Sequence, residues 1–264
     1  MLKDIDFTEK TVIVTGGTKG IGAGCAELFC EANANVVICA RDEKRGQDYA
    51  AELCDTFGTD RCTFVQCNVM KEAEIKHVVD FTIQKFGRLD SIINNAGYHP
   101  PEEEIDDITA EMFEELLRLN LISIFLFCKY ALPHLRKTKG SIVNMSSLVG
   151  SMGQKRAMRY ISTKGAITSL TKALAVDEGP NGVRVNCVSP GSIDSPLTTE
   201  YFANTDDPEG EYQKTCNCSP FRRIGTMRET AGACLFLASD LAGFMTGQDI
   251  KVSGGAELAY GVKF

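Results

Sequence analysis

Short apolar runs alternate along this chain with longer stretches whose apolar residues recur every three or four positions. The short runs cover residues 11–15, 35–40, 62–68, 91–94, 141–146, 183–189 and 249–252. They are rich in Val and Ile and mostly apolar at successive positions, as in parallel strands covered on both faces. The longer stretches, 21–32, 43–57, 71–86, 109–135, 160–178 and 228–238, read as amphipathic helices. Thr109, ahead of Met112 and Phe113, suits a helix start. The alternation predicts an α/β fold: a doubly wound parallel sheet of about seven strands with helices on both faces. No linker or repeat divides the chain, so residues 1–264 read as one domain.

One segment breaks the rhythm. Residues 191–223 contain Pro196, Pro208 and Pro220, several acids and little periodicity. Following the sixth predicted strand, this segment belongs at the carboxyl edge of the sheet, where a long loop reads as a substrate lid. Its aromatics, Tyr201, Phe202, Tyr212 and Phe221, would either form an apolar wall or pack the lid itself.

The composition, 44% hydrophobic and 24% charged, fits a globular chain with a sizeable core. A net charge of −7 without a long basic run argues against nucleic acid or an anionic membrane as the main partner. Apolar runs such as 11–14 and 122–128 are too short to span a bilayer. Residues 1–10 carry Lys3, Asp4, Asp6 and Glu9 and no apolar region, unlike a signal peptide. Eleven cysteines at irregular spacing suit free thiols in a reducing compartment, so the expected location is cytoplasmic. His77, His99 and His134 are too dispersed for a zinc motif, and Cys216 with Cys218 reads as structural; no metal is expected.

The first predicted strand runs into Gly16-Gly17-Thr18-Lys19-Gly20-Ile21-Gly22, and a helix follows. Glycines in that place let the backbone approach a pyrophosphate, with the helix N-terminus offering N–H groups and a positive dipole end. The end of the second strand usually reads the adenosine ribose. Here Ala40 cannot hold a diol, while Arg41, helped by Lys19, could pair with a 2′-phosphate. Asp42 beside it weakens that signal. NADP(H) is therefore favoured, with NAD(H) left open.

Tyr160 and Lys164 stand one helical turn apart, and Ser147 ends an apolar run upstream. A cation near a phenol favours the phenolate and is expected to lower its pKa from about 10. Such a tyrosine serves as a general acid–base. Asn120, inside Leu119-Asn120-Leu121, would be costly to bury without a partner.

Taken together, Thr15-Gly16 with Gly20-Ile21-Gly22, Asn94-Asn95-Ala96-Gly97, Asn120, Ser147, Tyr160 with Lys164, and Pro190-Gly191 resemble the short-chain dehydrogenase/reductase family. The resemblance covers about residues 7–255 and implies an NAD(P)-binding Rossmann domain. It implies an oxidoreductase moving a hydride between nicotinamide and a secondary alcohol or ketone. By resemblance, Tyr160 is the acid–base, Lys164 lowers its pKa and binds the nicotinamide ribose, Ser147 holds the substrate oxygen, and Asn120 anchors a water linking Lys164 to solvent. Asn68, Val69, Asn95, Ala96, Gly97, Pro190, Gly191, Ile193 and Ser195 complete the cofactor contacts, with Asn68 toward the adenine and Ser195 toward the carboxamide.

Residues 94–101, 132–137, 146–150 and 254–261 resemble a narrower branch of the family. Its members have been described both as 17β-hydroxysteroid and as L-fucose dehydrogenases. That branch has an acid in place of Ala40 and is associated with NAD; Tyr98 and Asp194 also depart from it. A steroid-like or other apolar alcohol is thus the first expectation and a fucose-like sugar the second. A non-catalytic nucleotide sensor would not need the intact Asn120, Ser147, Tyr160 and Lys164. His99, Gln154 and Tyr260 are candidate pocket residues, each equally readable as packing or solvent-facing. The family also implies a homodimer or homotetramer, built by the helices at 109–135 and 160–178.

Overall fold

Each apolar run is followed by a helix that carries the chain back, so the strands pair in one direction. The computed structural model describes residues 5–58 and 60–258; Tyr260 lies outside them. The strands are β1 (Thr11–Thr15), β2 (Asn35–Ala40), β3 (Cys62–Gln66), β4 (Ser91–Asn94), β5 (Ser141–Met145), β6 (Arg184–Pro190), β7 (Ile193–Asp194), β8 (Gly225–Thr226) and β9 (Asp249–Val252). Seven of them form one parallel sheet in the order β3-β2-β1-β4-β5-β6-β9, and β7 pairs with β8 apart from it. The helices are α1 (Gly20–Glu31), α2 (Glu43–Phe57), α3 (Glu72–Phe86), α4 (Ala110–Leu117), α5 (Ser123–Thr138), α6 (Met158–Glu178), α7 (Pro196–Ala203), α8 (Pro208–Cys216) and α9 (Met227–Ala238).

The sheet is buried on both faces, as its composition requires. Val12, Val14, Val36 and Ile38 meet α1, α2 and α9 on one side. Ile13, Val37, Ile92 and Ile142 meet α3, α5 and α6 on the other. Strand order reverses between β1 and β4, which opens a crevice at their carboxyl ends.

Three sequence expectations change. β3 stops at Gln66 because Asn68 begins the next turn: its Oδ1 accepts from Met70 N at 3.1 Å, and its own N–H donates to Glu74 at 2.7 Å. The segment read as an irregular lid contains α7 and α8. Pro196 and Pro208 open these helices, where a missing N–H costs nothing, and Ser195 and Asp207 cap them.

The helix expected over 109–135 is interrupted by a π-helical turn at Arg118–Ile122 and continues to Thr138. Ala110–Thr138 is thus one helical rod of 29 residues, long and apolar enough by those criteria alone to cross a membrane. Judging short apolar runs one at a time missed it. Half of its most apolar window is buried in the fold, where α5 packs against α3.

Candidate active site

The glycine loop is tight for a stated reason. Gly16 and Gly20 adopt φ of 64° and 58°, which side-chain-bearing residues avoid. A Cβ on Gly22 would lie 2.2 Å from the Gly16 carbonyl oxygen and 2.5 Å from Asn95 Nδ2. The loop therefore closes on itself and exposes backbone at the start of α1. That cradle fits the pyrophosphate of a nicotinamide dinucleotide. Thr18 is buried, Lys19 is exposed, and Ile21 is partly buried.

Asn95 works inside this framework. Its Nδ2 donates to the carbonyls of Thr15 at 3.0 Å and Gly16 at 3.3 Å. The backbone N–H groups of Asn95 and Ala96 both donate to Thr15 Oγ1 at 2.9 Å. The end of β4 is thus latched to the glycine loop. Asn68 already uses Oδ1 in its own turn, with buried Val69 beside it. Arg41 is exposed just past β2. Nearby Arg45 donates to the Thr18 carbonyl at 3.2 Å, beside a cleft lined also by Lys19, Gly20 and Lys44.

Across the crevice, Gly191 N donates to Val252 O at 3.0 Å and holds the turn after Pro190. Ile193 is buried. Ser195 Oγ caps α7 by accepting from Thr198 N at 3.4 Å. Its Cβ lies 4.0 Å from the position of a Cβ on Gly20, so the start of α7 adjoins the cradle. Aromatics of α7 and α8 pack on one another: the Phe202 ring lies 5.6 Å from both Tyr201 and Tyr212. Phe221 is instead exposed under Arg223.

The catalytic candidates converge beside Gly97. Asn120 sits in the π turn, completely buried. Its Oδ1 accepts from Tyr98 N at 2.9 Å, and its Nδ2 donates to Tyr98 O at 2.9 Å and Thr163 Oγ1 at 3.2 Å. A Cβ on Gly97 would lie 3.1 Å from Asn120 Oδ1 and 3.7 Å from Lys164 Nζ. Lys164 is buried and donates to Met145 O at 2.8 Å.

The electrostatics differ from the sequence expectation. Burial pushes the Tyr160 phenol up to about 12, and hydrogen bonding with Ser147 only partly opposes this. Burial also lowers Lys164 to about 8. The ammonium lies over the Tyr160 ring, 5.5 Å from its centroid, and does not offset the phenol's loss of water.

His99 and Gln154 join the same place. The His99 ring lies 4.1 Å from the Tyr160 ring, centroid to centroid. Its Nδ1 meets Pro100 O at 2.6 Å, and its Nε2 meets Gln154 Oε1 at 3.3 Å. The sequence reading missed one nearby feature. Glu103 receives a two-pronged ion pair from buried Arg159, the residue before Tyr160. Glu103 stands in a run of three glutamates, and nothing local singles it out as the partner of Arg159.

The profile of a family described as enoyl-(acyl carrier protein) reductase matches residues 16–257. The L-fucose dehydrogenase of Bos taurus is 49% identical over 97% of this chain and 93% of its own length. The chain belongs to the short-chain dehydrogenase/reductase family. As a member, it is an oxidoreductase of CH–OH groups that uses a nicotinamide cofactor and a small-molecule substrate. The mouse L-fucose dehydrogenase is 45% identical over 97% of this short-chain dehydrogenase/reductase and 92% of its own length. The solved aldohexose dehydrogenase of Thermoplasma acidophilum superposes with a TM-score of 0.85 at 29% identity, covering 95% of each chain.

Proposed function

We propose that this chain is a sugar dehydrogenase that oxidises a ring hydroxyl of a fucose-like aldose, with NADP(H) favoured over NAD(H). The observation carrying this reading is His99, whose ring lies against Tyr160 and whose Nε2 meets Gln154. Two directional polar groups beside the acid–base suit a polyhydroxylated ring better than a steroid face. The names of the sugar-oxidising relatives point the same way. Sugars therefore move ahead of the steroid-like alcohols first expected.

The bound nicotinamide supplies the hydride acceptor for oxidation and the donor for reduction. Gly16, Gly20 and Gly22 would receive its pyrophosphate, Asn68 and Val69 its adenine, and Lys164 a ribose hydroxyl. Ala96, Gly97, Pro190, Gly191 and Ile193 would wall the nicotinamide, and Ser195 would reach its carboxamide. Lys19 and Arg41 would take the 2′-phosphate. Tyr160 accepts the hydroxyl proton as the carbon loses hydride. Ser147 holds the same oxygen and stabilises developing charge. Lys164 favours the phenolate electrostatically, and Asn120 fixes the Gly97–Tyr98 turn and anchors a water on the proton path. Residues 191–223 act as the lid.

A homodimer or homotetramer is supported by exposed Phe125 on α5 and Val176 on α6. Free cysteines throughout the described residues support a cytoplasmic location.

The test is turnover on a panel of aldoses, steroid alcohols and aliphatic alcohols, each with NAD and NADP, followed by nicotinamide absorbance. L-fucose or a related aldose should give the highest kcat/KM. Tyr160→Phe should abolish turnover and leave cofactor affinity nearly intact. A steroid preference would overturn the substrate reading, and full activity in Tyr160→Phe would overturn the mechanism.

A further inference from the structure

Pro100, Pro101 and the glutamates Glu102, Glu103 and Glu104 follow His99 directly. Glu102 and Glu104 are exposed, whereas Glu103 turns inward. Arg159 Nε donates to Glu103 Oε2 at 2.7 Å, and its Nη2 donates to Oε1. Arg159 Nη1 donates to Met112 O at 2.5 Å, tying in the first turns of α4. Arg159 is only 8% exposed. The backbone makes a second connection, since Glu103 N donates to Arg156 O at 2.9 Å. Arg156 holds a left-handed φ of 56° and reaches Glu104 through Nε at 2.6 Å. The segments 99–104 and 153–159 are thus joined through both backbone and side chains. At their inner ends the His99 ring lies against the Tyr160 ring, and His99 Nε2 meets Gln154 Oε1.

We infer that Arg159 and Glu103 are a positioning pair that sets the distance between the His99 loop and the start of α6, and with it the width of the substrate pocket over Tyr160. A guanidinium fork on a carboxylate has one favoured planar geometry, whereas apolar side chains in the same place would slide over several. Neither side chain touches the reacting atoms. The pair acts by fixing where His99 and Gln154 stand. The inference rests on the proposed function only in taking those two as substrate contacts.

The test uses Glu103→Gln and, to leave no charge buried alone, Glu103→Leu combined with Arg159→Met. KM and kcat are measured on the best alcohol from the panel, together with NAD and NADP affinity and amide hydrogen exchange. The pair predicts a KM raised about tenfold or more, kcat lowered less than about threefold, and unchanged cofactor affinity. In the unmodified protein, amides at 99–104 and 153–158 should open as one unit. A folded variant with unchanged KM would overturn the inference, even if its melting temperature falls. So would independent exchange of the two segments, a result that needs no variant to fold. Failure of the unmodified protein to turn over any aldose counts against the sugar reading; the pair is still judged by the variants' KM on whichever alcohol is used.

Discussion

Lys164 holds its ammonium 5.5 Å from the centre of the Tyr160 ring, while donating its hydrogen bond to the Met145 carbonyl. Both groups resist charging in this setting: the lysine falls to about 8 and the phenol rises to about 12. The site therefore holds a cation that folding disfavours.

Lys164→Met should abolish turnover and stabilise the fold near neutral pH. Returning the ammonium to water relieves roughly 3 kcal/mol, and the lost bond to Met145 gives back about 1 kcal/mol. The sign follows from proton counts. Between about pH 8 and the ordinary lysine range, the unfolded chain holds the proton and the folded chain does not. Stability from this group thus rises with pH there. Tyr160 works in the opposite sense, and its contribution falls between about pH 10 and 12. Denaturant titrations of both proteins from pH 7 to 10 check this; an identical pH slope in Lys164→Met would contradict it.

His99→Phe keeps a ring against Tyr160 but removes both polar contacts. We expect kcat/KM for the preferred aldose to fall by about tenfold or more, equivalent to about 1.4 kcal/mol. Apolar alcohols should lose much less. Equal losses on both substrate classes would mean that His99 only supports Tyr160.

Gly22→Ala forces a Cβ to 2.2 Å from the Gly16 carbonyl. Backbone must move, at a cost of about 1–3 kcal/mol in stability, and dinucleotide binding should be lost. Thermal melting with and without NADP measures both, and a ligand-induced shift equal to that of the unmodified protein would refute the cradle.

Exchanging Ala40 for Asp and Arg41 for Ala should move preference toward NAD by at least about tenfold, about 1.4 kcal/mol. The readout is the ratio of kcat/KM with the two cofactors. An unmodified protein that already prefers NAD tenfold would overturn the Arg41 argument.

The spans of β1, β2 and β4 match the sequence pattern end to end because buried parallel strands carry apolar residues through their middles, and the span of β9 matches although it is only half-buried. Helices α7 and α8 were hidden because they bury little: no residue of α7 is fully buried, and proline at a helix start reads as a loop signal. The grouping of Asn120, Ser147, Tyr160 and Lys164 was legible through the family resemblance that their order and spacing carry. The state of the proton was not, since burial is a property of the packed site rather than of the Tyr160 helix face. Glu103 and Arg159, 56 residues apart, carried no local pattern at all.

The π turn at Arg118–Ile122 also sets a phase. One residue of an α-helix advances the side chains by about 100°. Across the wider turn α4 meets α6 while α5 meets α3, and Asn120 is aimed between Tyr98 and Thr163. Deleting one residue there would leave composition, charge and both apolar stripes nearly intact, yet rotate one half of the rod against the other. Length within those five residues is therefore more tightly constrained than identity at most of them.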